Sequence, residues 1–239
     1  MIDFEYLDKF EDELILDFRG HAIFQQIETM PHENFLDILI QRRFLSYEIT
    51  NCYDMAIDGL NNEKAIEIVR QIIREEYPGL NGKTPSHRED LMHDLLALGA
   101  TKSKVLQSSP TRSTSLAIDS TKELIRNAVI TESEHKILTI LRFWSEVLVS
   151  VEYGEFWRRI SLVLGTDAEN KSRFYYPHFC HDHRTTLVKS SLSSSTHSGR
   201  IGVLLKNLLK LEEDKKSFID LEEDICSIRR SFYDQFVAV

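Results

Sequence analysis

The stretch ILTILRFWSEVLVSVE (residues 137–152) is the most apolar part of the chain, and it decides the fold class. It lies inside a predicted helix of residues 132–164, which Gly165 terminates and in which Gly154 is a candidate position for a bend. Apolar side chains lie on most sides of this helix, and such helices are buried by their neighbours. The stretch is therefore predicted to lie in the middle of the fold.

The rest of the chain also has helical periodicity. Apolar residues recur at helical spacing, and nine Gly and five Pro leave few breakers for a strand-and-turn architecture. Predicted helices cover 3–29 with a break at Arg19-Gly20, 32–60, 63–77, 87–99 with Ser86 as N-cap, 116–130, 171–184, 200–213 and 219–237. We predict an all-α protein, one helical domain over residues 1–239 with a Ser-rich insertion at about 185–199.

Composition excludes several classes of function. A net charge of −9 argues against a nucleic-acid-binding protein, because such surfaces need clustered Lys and Arg. No apolar run approaches the length of a membrane span. Cys52, Cys180 and Cys226 lie far apart without a CxxC pair, which suits a reducing compartment. The N-terminus lacks the basic and apolar regions of a signal peptide, so the predicted location is cytoplasmic.

The segment FYYPHFCHDH (residues 174–183) carries the main candidate metal ligands. His178 and Asp182 are four residues apart, so on a helix they face the same way and can bind one ion. His181, three residues after His178, is a rival ligand, and His183 should point elsewhere. The alternative to ligation is a solvated acidic and histidine-rich helix face.

Other candidate ligands come from separate helices. Glu152 lies among apolar residues, where a charge needs a metal or a partner such as Arg158 or Arg159. Glu76, with Glu75 beside it, precedes a Pro-Gly turn, and His87 follows that turn; Glu89 and His93 form an alternative pair. Carboxylates and imidazoles from several helices are what a non-haem di-iron or di-manganese site requires.

In chain order these residues resemble the haem-oxygenase-like superfamily, and within it the di-iron oxidases grouped with the chlamydial protein associating with death domains (CADD). More distantly they resemble the TenA and PqqC families. The resemblance rests on PHENFLDIL (31–39) with RRFLSY (42–47), REEYPG (74–79) with SHREDLMHDLLALG (86–99), VSVE (149–152), and His178-x3-Asp182 with RRSFYD (229–234). The fold that it implies is a haem-oxygenase-like helical bundle.

The resemblance also implies a ligand set for two iron ions, with manganese as the alternative metal. Its members are Glu76, His87, Glu152, His178, Asp182 and His197. The family pattern has a histidine three residues after the aspartate, where this chain has Thr185. His197, displaced by the polar insertion, is the preferred replacement and His183 the other candidate. Glu152 is expected to bridge the ions.

The implied function is an oxidase or oxygenase that activates O2 on a small organic, amino-acid or fatty-acid-like substrate. One alternative is a metal-free enzyme, TenA-like with Cys180 as nucleophile or PqqC-like with basic residues. Another is a non-catalytic helical interaction protein. The predicted partners are the substrate and O2, without nucleic acid or membrane, and a homodimer is expected by analogy with relatives.

Overall fold

The chain folds into helices, and the described residues contain no strand. The computed structural model describes residues 2–80, 83–166, 169–181 and 183–237. Its helices are α1 (Phe4–Arg19), α2 (Ala22–Gln26), α3 (His32–Tyr47), α4 (Ile49–Ile57), α5 (Glu63–Glu75), α6 (His87–Ala97), α7 (Lys102–Gln107), α8 (Arg112–Ile130), α9 (Glu134–Leu141), a π-helix (Arg142–Val147), α10 (Leu148–Leu164), α11 (Tyr175–His181), α12 (His197–Leu208) and α13 (Glu212–Asp234). The predicted all-α class is confirmed.

One continuous helical rod, made of α9, the π-helix and α10, forms the centre of the fold. Residues 137–153 of this rod are all buried, which confirms the prediction for the apolar stretch. Helices α8, α12 and α13 pack against its first half, and α1 and α11 pack against α10. The rod therefore gathers elements from both ends of the chain around it.

The rod departs from regular α-helix at Arg142–Val147, earlier than the bend expected at Gly154. Gly154 instead allows α11 to approach closely, because a Cβ there would lie 3.0 Å from the Phe179 ring. A π-helix has one extra residue in its turn, so it changes which residues face inward. Its position matters for the site described below.

Most predicted helix boundaries lie within a few residues of the observed ones. Ser86 caps α6 in a reciprocal capping box with Glu89, as its position predicted. Gly165 ends α10 with a φ of 84°, a conformation that favours glycine. The predicted helix 32–60 is wrong in one respect, because the chain breaks at Glu48 into α3 and α4.

The Ser-rich segment 185–199 is held against the rest of the protein. Asp8 of α1 accepts hydrogen bonds from the backbone N–H groups of Leu187 and Val188, at 2.5 and 2.9 Å. Arg142 donates to the carbonyls of Thr185 and Ser198, at 2.9 and 3.2 Å. These bonds fix both ends of the segment, so it is a scaffold for the start of α12.

None of the helices in the described part of the chain combines the length and the apolar character needed to cross a membrane.

Candidate metal centre

A cavity of about 460 Å³ lies where the ends of several helices meet. Its apolar wall includes Ile49, Ile72, Val149 and Phe174. Its polar wall is made of carboxylates and imidazoles, namely Glu75, Glu76, His87, Asp90, Glu146, His178, His181 and His197. An apolar pocket with a few convergent titratable groups is the usual form of an enzyme site.

Three of these residues already lie at the spacing of metal ligands. One atom each from Glu76, His87 and His178 can be chosen so that all lie within 4.8 Å of one another. Nδ1 of His87 lies 3.0 Å from Oε1 of Glu76, and the rings of His87 and His178 are 4.6 Å apart. We call these three residues the first cluster.

Helix α6 positions two members of the first cluster. His87 is its first residue, placed by the Ser86 cap. Asp94, two turns further on and fully buried, accepts hydrogen bonds from the backbone N–H groups of Arg173, Phe174 and Tyr175 at 2.9 to 3.2 Å. These N–H groups lie at the start of α11, so Asp94 fixes the helix that carries His178.

The surroundings of His178 keep its ring neutral. Nδ1 lies 2.7 Å from the carbonyl oxygen of Phe174, which can only accept, so Nδ1 carries the hydrogen and Nε2 has a free lone pair. Burial, with the nearby His87, lowers the pKa of His178 to about 3. A neutral imidazole with one nitrogen fixed by a carbonyl is the form that binds a metal.

A second cluster lies in the same cavity around His197, the first residue of α12. Its Nε2 lies 3.2 Å from Oε2 of Glu75, and its Nδ1 lies 3.3 Å from Oε2 of Glu146. Burial alone would lower the pKa of His197, but the hydrogen bonds to Glu146 and Glu75 raise it to about 10. His197 is therefore a cation between two carboxylates. The ring of His181 is 4.7 Å from that of His197.

Glu146 enters the cavity from the π-helix and was not among the predicted ligands. Tyr53 of α4 donates a hydrogen bond of 2.7 Å to its Oε1, while Oε2 is the oxygen near His197. π-Helical turns often occur at functional sites, where they direct a side chain that a regular helix would bury elsewhere. The sequence signal was present, since Glu146 lies between Trp144 and Val147 in the most apolar part of the chain.

Glu152, the predicted bridging ligand, is bound elsewhere. Its carboxylate accepts hydrogen bonds from Arg42 at 2.8 Å and from Arg229 at 2.6 Å, and all three side chains are buried. Glu152 is not part of the cavity wall. The alternative interpretation supposed that Arg158 or Arg159 pairs with Glu152, but its observed partners are Arg42 and Arg229. The geometry makes Glu152 part of a structural ion-pair network.

The remaining predicted residues divide between the cavity and the surface. His197, the preferred sixth ligand, lines the cavity, whereas His183 is exposed. Asp182 lies outside the described residues. Glu89 is used in the cap of α6, and His93 lies 3.1 Å from Asp94, so the alternative pair is engaged outside the cavity.

The three cysteines do not provide a nucleophile in this cavity. Cys52 and Cys226 are buried, and burial raises the pKa of their thiols to about 12 and about 11. Cys180 is exposed and is not part of the cavity wall. Low thiol pKa and access to the site are what a nucleophilic cysteine needs.

The donors present fit a hard or borderline divalent ion. The first cluster offers a carboxylate and two imidazoles, one of them with a fixed free lone pair. The second cluster offers two carboxylates that share the positive charge of His197. A divalent ion bound between them would compensate both negative charges. Mixed carboxylate and imidazole ligands suit iron or manganese.

No protein-family model matches the chain, and no curated protein matches it by sequence. Its structure is similar to the crystal structure of a domain of unknown function with a heme oxygenase-like fold from Shewanella denitrificans OS217. The similarity covers 99% of this chain and 92% of that one, with a TM-score of 0.66 and 14% sequence identity. The protein therefore has a haem-oxygenase-like fold. At this identity the similarity establishes the fold alone.

Proposed function

We propose that the protein is a non-haem iron oxidase or oxygenase that activates O2 with two metal ions in the described cavity. The observation that carries the proposal is that two clusters of carboxylates and imidazoles line one cavity with an apolar wall. Glu76, His87 and His178 would hold one ion, together with Asp182 by the family resemblance. Glu75, Glu146 and His197 would hold the other, with His181 adjacent. Manganese is the alternative metal.

Bound ferrous iron would supply the electrons for the reduction of O2. The protein's own part is to hold the ligands and the organic substrate. His178 contributes a lone pair without prior loss of a proton, because its pKa is about 3. Ile49, Ile72, Val149 and Phe174 offer an apolar surface to the substrate and limit the access of water to the ligands. The substrate class remains that implied by the resemblance, a small organic, amino-acid or fatty-acid-like molecule.

In this proposal Glu146 replaces Glu152 as the carboxylate ligand from the central rod, without the bridging role. Both glutamates belong to the central rod, but Glu146 lines the cavity while Glu152 is neutralised by two arginines. A carboxylate whose charge is compensated by hydrogen bonds from two buried arginines has little remaining attraction for a metal ion. The network of Glu152 would instead support the wall, since Arg42 also contacts the ring of the cavity residue Tyr153.

The metal content of protein loaded with Fe(II) without oxygen tests the proposal. We expect about two irons per chain in the wild type, as in the di-iron carboxylate sites of helical bundles. His178→Ala and His197→Ala should each lose about one of them. His135→Ala is the matched control, because His135 contacts Ser217 outside the cavity. Oxygen uptake by the loaded protein should follow its iron content. An iron content well below one per chain in the wild type would end the proposal.

A centre with one metal is the second candidate, and the state of His197 favours it. The two nitrogens of His197 face different carboxylates, so the imidazolium already compensates one of the two negative charges of Glu75 and Glu146. In this version only the first cluster binds iron. One iron per chain that His197→Ala leaves unchanged would select it.

A small-molecule substrate, a cytoplasmic location and a homodimer remain parts of the proposal.

A further inference from the structure

Tyr53 is a fully buried residue of α4 whose hydroxyl reaches the π-helix. The hydroxyl oxygen lies 2.7 Å from Oε1 of Glu146 and 2.7 Å from Oγ of Ser145. A phenol has one hydrogen to donate. Which of the two neighbours receives it determines what Tyr53 does to the site.

The hydrogen bonds of Ser145 settle the choice. Its Oγ lies 2.6 Å from the carbonyl oxygen of Leu141, one turn earlier, and 3.2 Å from Oε1 of Glu146, so the serine hydrogen goes to the nearer carbonyl. The phenol then donates to a neutral hydroxyl oxygen or to a carboxylate oxygen at the same distance. The charged acceptor forms the stronger bond. Tyr53 therefore donates to Glu146.

This bond divides the two oxygens of Glu146 between different partners. Oε1 faces Tyr53 inside the protein, and Oε2 faces His197 in the cavity at 3.3 Å. A carboxylate can bridge two ions through both oxygens only when both oxygens face the ions. Because Oε1 of Glu146 is directed towards Tyr53, Oε2 is the oxygen that faces the cavity.

We propose that Tyr53 is a positioning residue that holds Oε1 of Glu146, so that Glu146 would offer Oε2 alone to a metal ion. This inference rests on the proposed function, because it concerns the second of the two metal ions. Hydrogen bonds to a ligand's far atom fix its orientation, and their loss typically weakens metal binding about 10- to 100-fold. Tyr53 itself is not part of the cavity wall.

The test is an anaerobic titration with Co(II) in which binding is measured by optical absorption and by calorimetry. Wild-type protein should show two binding steps, and His197→Ala identifies the step that belongs to the second cluster. Tyr53→Phe should weaken that step about 10- to 100-fold and leave the first step unchanged. Tyr233→Phe is the matched control, since Tyr233 is equally buried but outside the cavity wall. Equal isotherms for Tyr53→Phe and wild type would overturn the inference.

A double-mutant cycle with Glu146→Gln separates positioning from a general effect. If Tyr53 acts through Glu146, Tyr53→Phe should cause little further loss in the Glu146→Gln background. Independent losses would contradict the assignment. The absence of any Co(II) step in the wild type would instead remove the proposed function, and the inference with it.

A crystal structure of the Co(II)-loaded wild type tests the same point without a variant. It should show one oxygen of Glu146 on a single metal ion and the other within hydrogen-bond distance of Tyr53. If Glu146 instead bridged two ions through both oxygens, the inference would be overturned. This result does not depend on whether the variants fold.

Discussion

Nη1 of Arg229 lies 2.6 Å from both carboxylate oxygens of Glu152 in the buried centre of the protein. Glu152→Ala should therefore lower the free energy of unfolding by about 3–5 kcal/mol, because it leaves two buried arginines without their carboxylate. Urea denaturation followed by circular dichroism measures this change. Glu123→Ala, at an exposed ion pair with Arg126, should change it by less than about 1 kcal/mol. Equally small changes in the free energy of unfolding for both variants would show that Glu152 does not stabilise the fold.

The two glutamates of the central rod should differ in metal binding. Glu146→Gln is expected to reduce the iron content of anaerobically loaded protein by about one ion per chain, because Glu146 lines the cavity. Glu152→Gln should keep the wild-type content in the fraction that folds. Metal analysis after gel filtration compares them. Iron loss in Glu152→Gln with none in Glu146→Gln would restore the sequence-based ligand set.

The metal-free protein should lose stability in alkali because of His197. Its pKa is about 10 in the folded protein and about 6.5 in an unfolded chain. The folded state thus holds the proton more tightly, so this contribution is complete below about pH 6.5 and is lost as the pH rises towards 10. The slope from one such group is at most about 1.4 kcal/mol per pH unit.

Denaturation at a series of pH values, for wild type and His197→Gln, tests this prediction. The wild-type free energy of unfolding should fall more steeply than that of the variant between about pH 7 and pH 9.5. Other groups that titrate in this range are common to both proteins. Parallel curves would mean that His197 is not protonated between Glu75 and Glu146.

The Ser-rich segment should be sensitive to added volume on α12. A Cβ at Gly199 would lie 2.3 Å from Oγ and 2.7 Å from Cβ of Ser194, too close without movement of the segment. Gly199→Ala should therefore cost about 1–3 kcal/mol, as overpacking does, and thermal denaturation measures it. Adding Ser194→Gly removes the nearest atoms and should restore part of the loss. An unchanged midpoint in Gly199→Ala would mean that the segment is not packed there.

The fold, and within the first cluster the pair of Glu76 and His87, could be predicted from the sequence because their signals are local. The apolar stretch 137–152 marked the centre, and Ser86 followed three residues later by Glu89 marked the start of α6. Glu76 follows the last residue of α5 and His87 begins α6 eleven residues later, so both come from neighbouring parts of the chain. Each of these inferences needs information from only a few neighbouring residues.

The choice between Glu146 and Glu152 could not be made in the same way. The rod is apolar on most sides, so no polar stripe shows which face meets the cavity. Six residues apart, the two glutamates point roughly 120° from each other on a regular helix, and the π-helix changes this phase. Arg42 and Arg229, which hold Glu152, are far from it in sequence, so their pairing depends on tertiary packing.

The proposed ligands are spread along the chain, from Glu75 at the end of α5 to His197 at the start of α12. During synthesis, a ribosome would release the last of them long after the first. The first cluster would be complete only after translation had passed α11, and the second only after it had passed the start of α12. The protein would then acquire its metals late in synthesis or after it, in competition with the cell's other metal-binding molecules.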